Sequence, residues 1–356
     1  MKAFFCLAFL LNCVAVADTG ANHTPLWLSK KMVDEPVLFI GDEGNRSGRL
    51  IFTPDSMPVL TRAGDSFVYE AGKDYTWEKG SRTISLTAHS RIPSKTPQEM
   101  RPGPGKPRSL GGVLHSEGRF FHDLQTLVSY SHNQSWPALV QPVSATLPRS
   151  LEKLHSSPSF KVVTLGDSIT EGYNASGFAK TQAPRNHPAY AEGFARLLDE
   201  TFPAKVTLSN FGVAGRTAGW GLKQLDRVIA EKPDLVIIAF GMNDPVSSEQ
   251  FQKTNLEILT HLQKEIPQAD LIFVSGMNNN PAWRDPTKIP GFREALKNII
   301  RPNVILADIT TPWEKLLTRK NFSDLSGNNI NHPNDFGHRL YAEVLFFNFL
   351  ASLKTP

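Results

Sequence analysis

From Ser159 onward the chain alternates short apolar runs with longer amphipathic stretches, which restricts this half to a parallel β-sheet covered by crossover helices. The expected strands are Lys161–Leu165, Lys205–Ser209, Asp234–Phe240, Asp270–Ser275 and Asn303–Leu306. The expected helices lie at Ala189–Thr201, Gly219–Glu231, Ser248–Glu265 and Gly291–Ile300, with a last one at Asp335–Ser352. Parallel strands are buried on both faces, so they read as unbroken apolar runs such as Leu235-Val236-Ile237-Ile238-Ala239. Five such strands make a three-layer α/β/α sandwich. Its catalytic groups belong at the carboxyl ends of strands, on the loops that lead into helices.

The first half has a different rhythm. Short β-type runs, Pro36–Ile40, Arg49–Phe52, Ser66–Tyr69, Thr83–Leu86 and Thr126–Tyr130, are separated by turn residues. They predict a small antiparallel, jelly-roll-like β-sandwich. Arg91–Arg108 holds five prolines and five basic residues against the single Glu99, and reads as a loop: a solvated connector or a contact for an anionic substrate. The polar stretch Ser144–Ser159 marks a boundary. The expected organisation is a leader over residues 1–17, a β-sandwich domain over 18–148, a linker over 149–159 and the α/β domain over 160–356.

The leader follows from Lys2, the apolar run Ala3–Val16 and the Ala15-Val16-Ala17 ending, a secretory pattern with cleavage before Asp18. The alternative, acylation of Cys13, meets Asn12 where a small residue is expected. Both cysteines, Cys6 and Cys13, fall in this segment, so the exported chain has no thiol for catalysis, zinc or disulfides. No later run approaches a membrane span. A net charge of +4 points to neither nucleic acid nor membrane lipid as a partner. The spacing of the histidines suggests no metal site, and no cofactor is implied.

Four segments can carry chemistry. In Gly166-Asp167-Ser168, after the first expected strand, the glycine permits a tight turn that presents the Ser168 hydroxyl for attack on a carbonyl. Thr170 stands where a G-x-S-x-G elbow needs glycine, so the α/β-hydrolase pattern fits poorly. In Asn210–Arg216, Gly215 allows a backbone N–H to approach an oxyanion, although a plain βα turn explains the motif equally. In Gly241-Met242-Asn243-Asp244, the Asn243 amide can face a developing alkoxide, or cap a turn. His332, held by Pro333 ahead of the last helix, suits general-base work near neutral pH. His338 falls inside that helix and reads as a packed or surface residue.

Together and in this order, these blocks resemble the SGNH hydrolase superfamily, the GDSL esterases and lipases, over about residues 160 to 352. The resemblance implies that Ser168 is the nucleophile and gives one oxyanion-hole N–H, that Gly215 gives a second and Asn243 a side-chain amide, and that His332 is the base. It also implies a five-stranded parallel sheet. One departure is visible: the family carries Asp three residues before its histidine, and this chain has Asn329. In serine proteases the same exchange costs about 10⁴ in turnover. Carbohydrate esterases of family 2, which also place a β-sandwich before the catalytic domain, work with a Ser–His dyad oriented by a backbone carbonyl. The expectation is a Ser168–His332 dyad in which Asn329 is uninvolved or lends its side-chain oxygen; Asp324 or Asp335 are the other candidate orienting groups, Asp335 being better explained as a helix cap.

The leader implies a secreted or periplasmic protein, and the resemblance implies an esterase that removes O-acetyl groups from carbohydrate. A polysaccharide O-acetyltransferase, a lipase-like esterase and an inactive carbohydrate-binding protein are the alternatives. Tyr173, Trp220, Trp283 and Trp313 can stack on sugars or pack in the core. Asn22, Asn45, Asn133, Asn174 and Asn321 begin N-x-S/T matches.

Overall fold

The structure is a computed structural model that describes residues 23–353 except Ser66, Gln141, Pro142 and Ser144. The leader over residues 1–17 lies outside the described residues.

The second half is an α/β/α sandwich on a five-stranded, all-parallel sheet. In chain order its strands are Ser159–Gly166, Lys205–Gly212, Leu235–Ala239, Asp270–Val274 and Val304–Ala307. Their spatial order is second, first, third, fourth, fifth. The first strand therefore has neighbours on both sides, pairing Gly166 with Gly212 and with Ala239. That register puts the ends of three strands side by side, at the point where the winding of the sheet reverses and ligands of such sheets bind.

All five expected strands are present within a few residues, as are the helices Tyr190–Thr201, Ser248–Glu265, Lys288–Lys297 and Asp335–Ser352. The helix expected over Gly219–Glu231 is two short ones, Ala218–Leu222 and Leu225–Ala230. The last helix is buried nearly all round, including Phe336, Leu340, Tyr341, Phe346 and Phe349. A helix without a solvated face lies between two layers. Here one layer is the parallel sheet and the other is the first half of the chain, whose Leu26 and Trp27 pack against it in one continuous hydrophobic cluster.

The first half is an all-β region with short helical turns. Lys31–Val37, Thr126–Ser131 and Val59–Arg62 form an antiparallel sheet with Thr126–Ser131 in the centre. A second sheet has the order Tyr75–Trp77, Thr83–Leu86, Ser47–Arg49, Phe39–Ile40, Ser94–Lys95, antiparallel except for its last pair. A hairpin joins Ser109–Leu110 to Val113–Leu114.

Several expectations are corrected. Of the run at Ser66–Tyr69, whose Ser66 lies outside the described residues, Val68 forms an isolated antiparallel bridge to Thr61 on the outer side of Val59–Arg62, the strand that pairs with Thr126–Ser131. Arg91–Arg108 is not only loop: it contains Ser94–Lys95 and the turn Pro97–Met100, whose Thr96 and Glu99 form a reciprocal cap. The stretch read as a linker is helical over Pro148–Ser156, with Pro148 at its start and Leu154 buried against the sheet.

The two halves also share a buried ionic cluster. Lys320 Nζ lies 2.9 Å from Glu35 Oε1 and 3.6 Å from Asp324 Oδ2, with all three side chains essentially inaccessible. The ammonium also donates to the carbonyl of Arg49 (2.6 Å). Tyr130 donates to the other Glu35 oxygen (2.5 Å), and the N–H of Leu38 donates to Asp324 (2.8 Å). Buried charge is tolerated only when it is paired and hydrogen-bonded, and every group here meets that condition.

Candidate active site

Ser168 opens a single helical turn, Ser168–Glu171, directly after the first strand. The turn is tight because Gly166 leaves no room for a side chain: a Cβ there would stand 2.1 Å from Thr170 Oγ1 and 2.6 Å from the carbonyl of Ala239. Asp167 caps the turn, its carboxylate accepting from the N–H of Ile169 (3.0 Å). Burial pushes the Asp167 carboxyl up to about 7, with neighbouring Asp244 adding to the effect.

The second and third blocks are tied to the first through side chains. Asn210 donates to the carbonyl of Thr170 (2.7 Å), and Glu171 accepts from the N–H of Ala214 (2.7 Å). Gly215 has φ +74 with open space where a Cβ would point, so glycine is required there by backbone conformation and not by crowding. Asp244 accepts from the N–H of Ala218 (3.0 Å), joining the third block to the helix that follows Gly215. Burial raises Asp244 to about 6. Asn243 donates to the carbonyl of Arg216 (3.3 Å).

His332 completes the arrangement, with its Nε2 2.9 Å from Ser168 Oγ. Ser168, Gly215, Asn243 and His332 line one open cavity of about 210 Å³, together with Leu110, His115, Glu117, Tyr173, Ala214, Trp283, Ile330 and Asn331. Three of these wall residues, Leu110, His115 and Glu117, come from the β half.

The side chains against His332 Nδ1 are not those named from the sequence. Asn329 turns away, with φ +65, and its amide donates to the carbonyl of Leu114 (2.9 Å). Asp324 is engaged with Leu38, Asn321 and Lys320. Asp335 accepts from the N–H of Ser176 (2.7 Å), while Asn334 is the actual cap of the last helix, accepting from Gly337 (3.1 Å). Each is held elsewhere by stronger local needs.

In their place Nδ1 meets Asn174 Oδ1 at 2.8 Å, Asn328 Nδ2 at 3.0 Å and Glu117 Oε2 at 3.3 Å. Asn174 begins one of the N-x-S/T matches, but it is buried, so this match is not a surface acceptor. Nothing in the sequence distinguishes Asn174, Asn328 or Glu117. They are distant in the chain or stand in an asparagine-rich run, and only the fold assembles them.

The other aromatic candidates divide. Tyr173 and Trp283 line the cavity, Trp220 lies beneath Arg216 on the flank, and Trp313 is fully buried core. His338 is also buried; burial lowers it to about 4, and its ring bridges the N–H of Tyr190 and the carbonyl of Tyr173.

A parallel α/β/α sandwich with a serine at the end of its first strand and a histidine on the loop before its last helix defines the class to which this chain conforms. Residues 164–340 match the GDSL-like Lipase/Acylhydrolase family. Several solved structures are similar. One is a two-domain esterase (CEX) active on acetylated mannans, co-crystallised with mannopentaose, at 21% identity over 61% of this chain and 56% of that chain, TM-score 0.49. Another is Axe2, an acetylxylan esterase from Geobacillus stearothermophilus, at 20% identity over 53% of this chain and 94% of that one, TM-score 0.43. A third is LAE5, an α/β hydrolase from the metagenome of Lake Arreo, Spain, at 21% identity over 55% and 97%, TM-score 0.44. The alignment thus spans 56% of the two-domain esterase's length. No curated protein matches the chain.

Proposed function

We propose that the protein is a serine esterase that hydrolyses short-chain carboxylic esters, O-acetyl groups on carbohydrate in the first instance. The observation that carries the reading is the 2.9 Å contact from Ser168 Oγ to His332 Nε2, beside Gly215 and Asn243 in one cavity. Nε2 takes the hydroxyl proton as Ser168 attacks the ester carbonyl, and the negative oxygen falls to the backbone N–H groups of Ser168 and Gly215 and to the Asn243 amide. His332 then returns the proton to the leaving alcohol. Water repeats the sequence on the acyl-enzyme.

The substrate class rests on the cavity. It is small and open, and it offers polar side chains beside the rings of Tyr173 and Trp283, an arrangement that suits a sugar hydroxyl and stacking rather than a long acyl chain. Export by the leader completes the reading, and the N-terminal sequence of the exported protein is then expected to begin at Asp18.

The test is release of p-nitrophenol from its acetate by the parent and by Ser168→Ala. Loss of about 10⁴-fold or more in turnover is expected for the variant. Equal background rates in both would overturn the reading.

A further inference from the structure

The mechanism asks two things of the groups behind His332: to keep the proton on Nδ1, so that Nε2 can accept from Ser168, and to favour the imidazolium once it forms. The first is met by Asn174. Its Nδ2 donates to the carbonyls of Gly118 (3.3 Å) and Gly327 (3.1 Å), which turns Oδ1 toward Nδ1 at 2.8 Å. The acceptor is therefore fixed. An amide, however, supplies no charge.

The charge stands next to it. Asn328 Oδ1 accepts from the N–H groups of Ile330, Asn331 and His332, so its Nδ2 faces outward. The two hydrogens of Nδ2 go to Glu117 Oε1 (2.9 Å) and Asn331 Oδ1 (3.0 Å), leaving none for the imidazole. This holds Glu117 with its second oxygen 3.3 Å from Nδ1. The segment bearing Glu117 is strapped to the histidine loop by two contacts just before it: Asn329 donates to the carbonyl of Leu114, and His115 Nδ1 lies 3.1 Å from the carbonyl of Asn328. Burial raises the Glu117 carboxyl, but its contacts with His332 and Asn328 outweigh that and hold it below the usual range, so it is ionised at neutral pH.

We propose that Glu117, a positioning residue from the β half of the chain, supplies the carboxylate absent at Asn329 and stabilises the His332 imidazolium while Asn174 fixes its tautomer. Glu117 stays ionised throughout; the proton moves only between Ser168, Nε2 and the leaving alcohol. This rests on the esterase reading above. The other ionisable groups near the imidazole are Asp167 behind Ser168, His338 on the last helix, His115 with Nε2 3.9 Å from Glu117, and Tyr173 with its ring 5.3 Å away.

The test uses the full chain, with Glu117→Gln and Glu117→Asp beside the parent and Ser168→Ala. The Glu117 side chain is 44% exposed, so neither change threatens folding. Glu117→Gln is expected to lower kcat by about ten- to a hundredfold, less than the loss of a full triad carboxylate because the amide of Asn174 keeps the tautomer and solvent screens the charge. KM stays within about twofold, as expected for an interaction that strengthens in the transition state. Losing the negative charge moves the acidic limb of the pH–rate profile to lower pH, and Glu117→Asp recovers part of both effects. An unchanged kcat and a superimposable profile for Glu117→Gln would overturn the proposal. So would equal losses in both variants with no movement of the profile, which would mark a structural role. If the parent were no faster than Ser168→Ala, the esterase reading would fail, yet the NMR titration of His332, assigned with His332→Ala, still decides on Glu117: a midpoint lower in Glu117→Gln supports it, an unmoved one refutes it.

Discussion

The two halves of the molecule organise their residues in opposite ways. In the α/β half the groups of the site sit at strand ends whose positions a regular parallel register fixes, with Ser168, Gly215 and Asn243 following three adjacent strands. In the β half the strands are two to seven residues long, and the residues that reach the cavity, Leu110, His115 and Glu117, come from a hairpin and the irregular segment after it. Regular structure makes a site predictable, whereas irregular structure completes it. The β half is also no detached module: it shares the hydrophobic cluster of the last helix and the buried Lys320 cluster.

The largest stability effect that probes this union is Lys320→Met. Removing the cation leaves Glu35 buried without its ion pair, at a cost of about 3–5 kcal/mol. Urea unfolding followed by tryptophan fluorescence and far-UV circular dichroism is expected to show one shifted transition. Two separated transitions, with only one displaced, would break the comparison and make the halves independent units. Glu117→Gln comes between: it leaves stability in place and lowers turnover, so it separates the contribution of the β half to catalysis from its contribution to folding.

The smallest effect sharpens the α/β side. Asp167 has a folded pKa of about 7 against 3.8 for the free group, so the unfolded chain releases its proton first. Stability from this group is present below about pH 4 and is lost as pH rises toward 7. Asp167→Asn keeps an acceptor for Ile169 but carries no charge, and its stability relative to the parent is expected to rise by about 1–3 kcal/mol between pH 5 and pH 8. His338, neutral and buried, has the opposite dependence, losing stability as pH falls from 6.5 toward 4, but it is common to both proteins and cancels in the difference. Melting temperatures at the two pH values measure it; a constant difference would mean that Asp167 is not strained by burial.

Much of the α/β half was legible because each buried parallel strand must be apolar on both faces, and because serine, glycine and asparagine fall where strands end and histidine just before the last helix. Ser248–Glu265 and Asp335–Ser352 match their expected bounds. The β half was less legible. Thr83–Leu86 was found as read, but the strand Val59–Arg62 was not expected, and the run after it meets it through a bridge from Val68 to Thr61, since a four-residue run carries too little pattern to fix its pairing.

What the sequence determined by itself was the parallel sheet, the four blocks along it and the absence of a carboxylate three residues before His332, because all of these depend on local spacing. What only the tertiary structure decided was the company of His332. Asn174, Asn328 and Glu117 lie 158, 4 and 215 positions from it along the chain, and the fold brings all three against its Nδ1. Hydrogen-bond donors and acceptors in a buried site are matched by position in space, and separation in sequence carries no trace of that match.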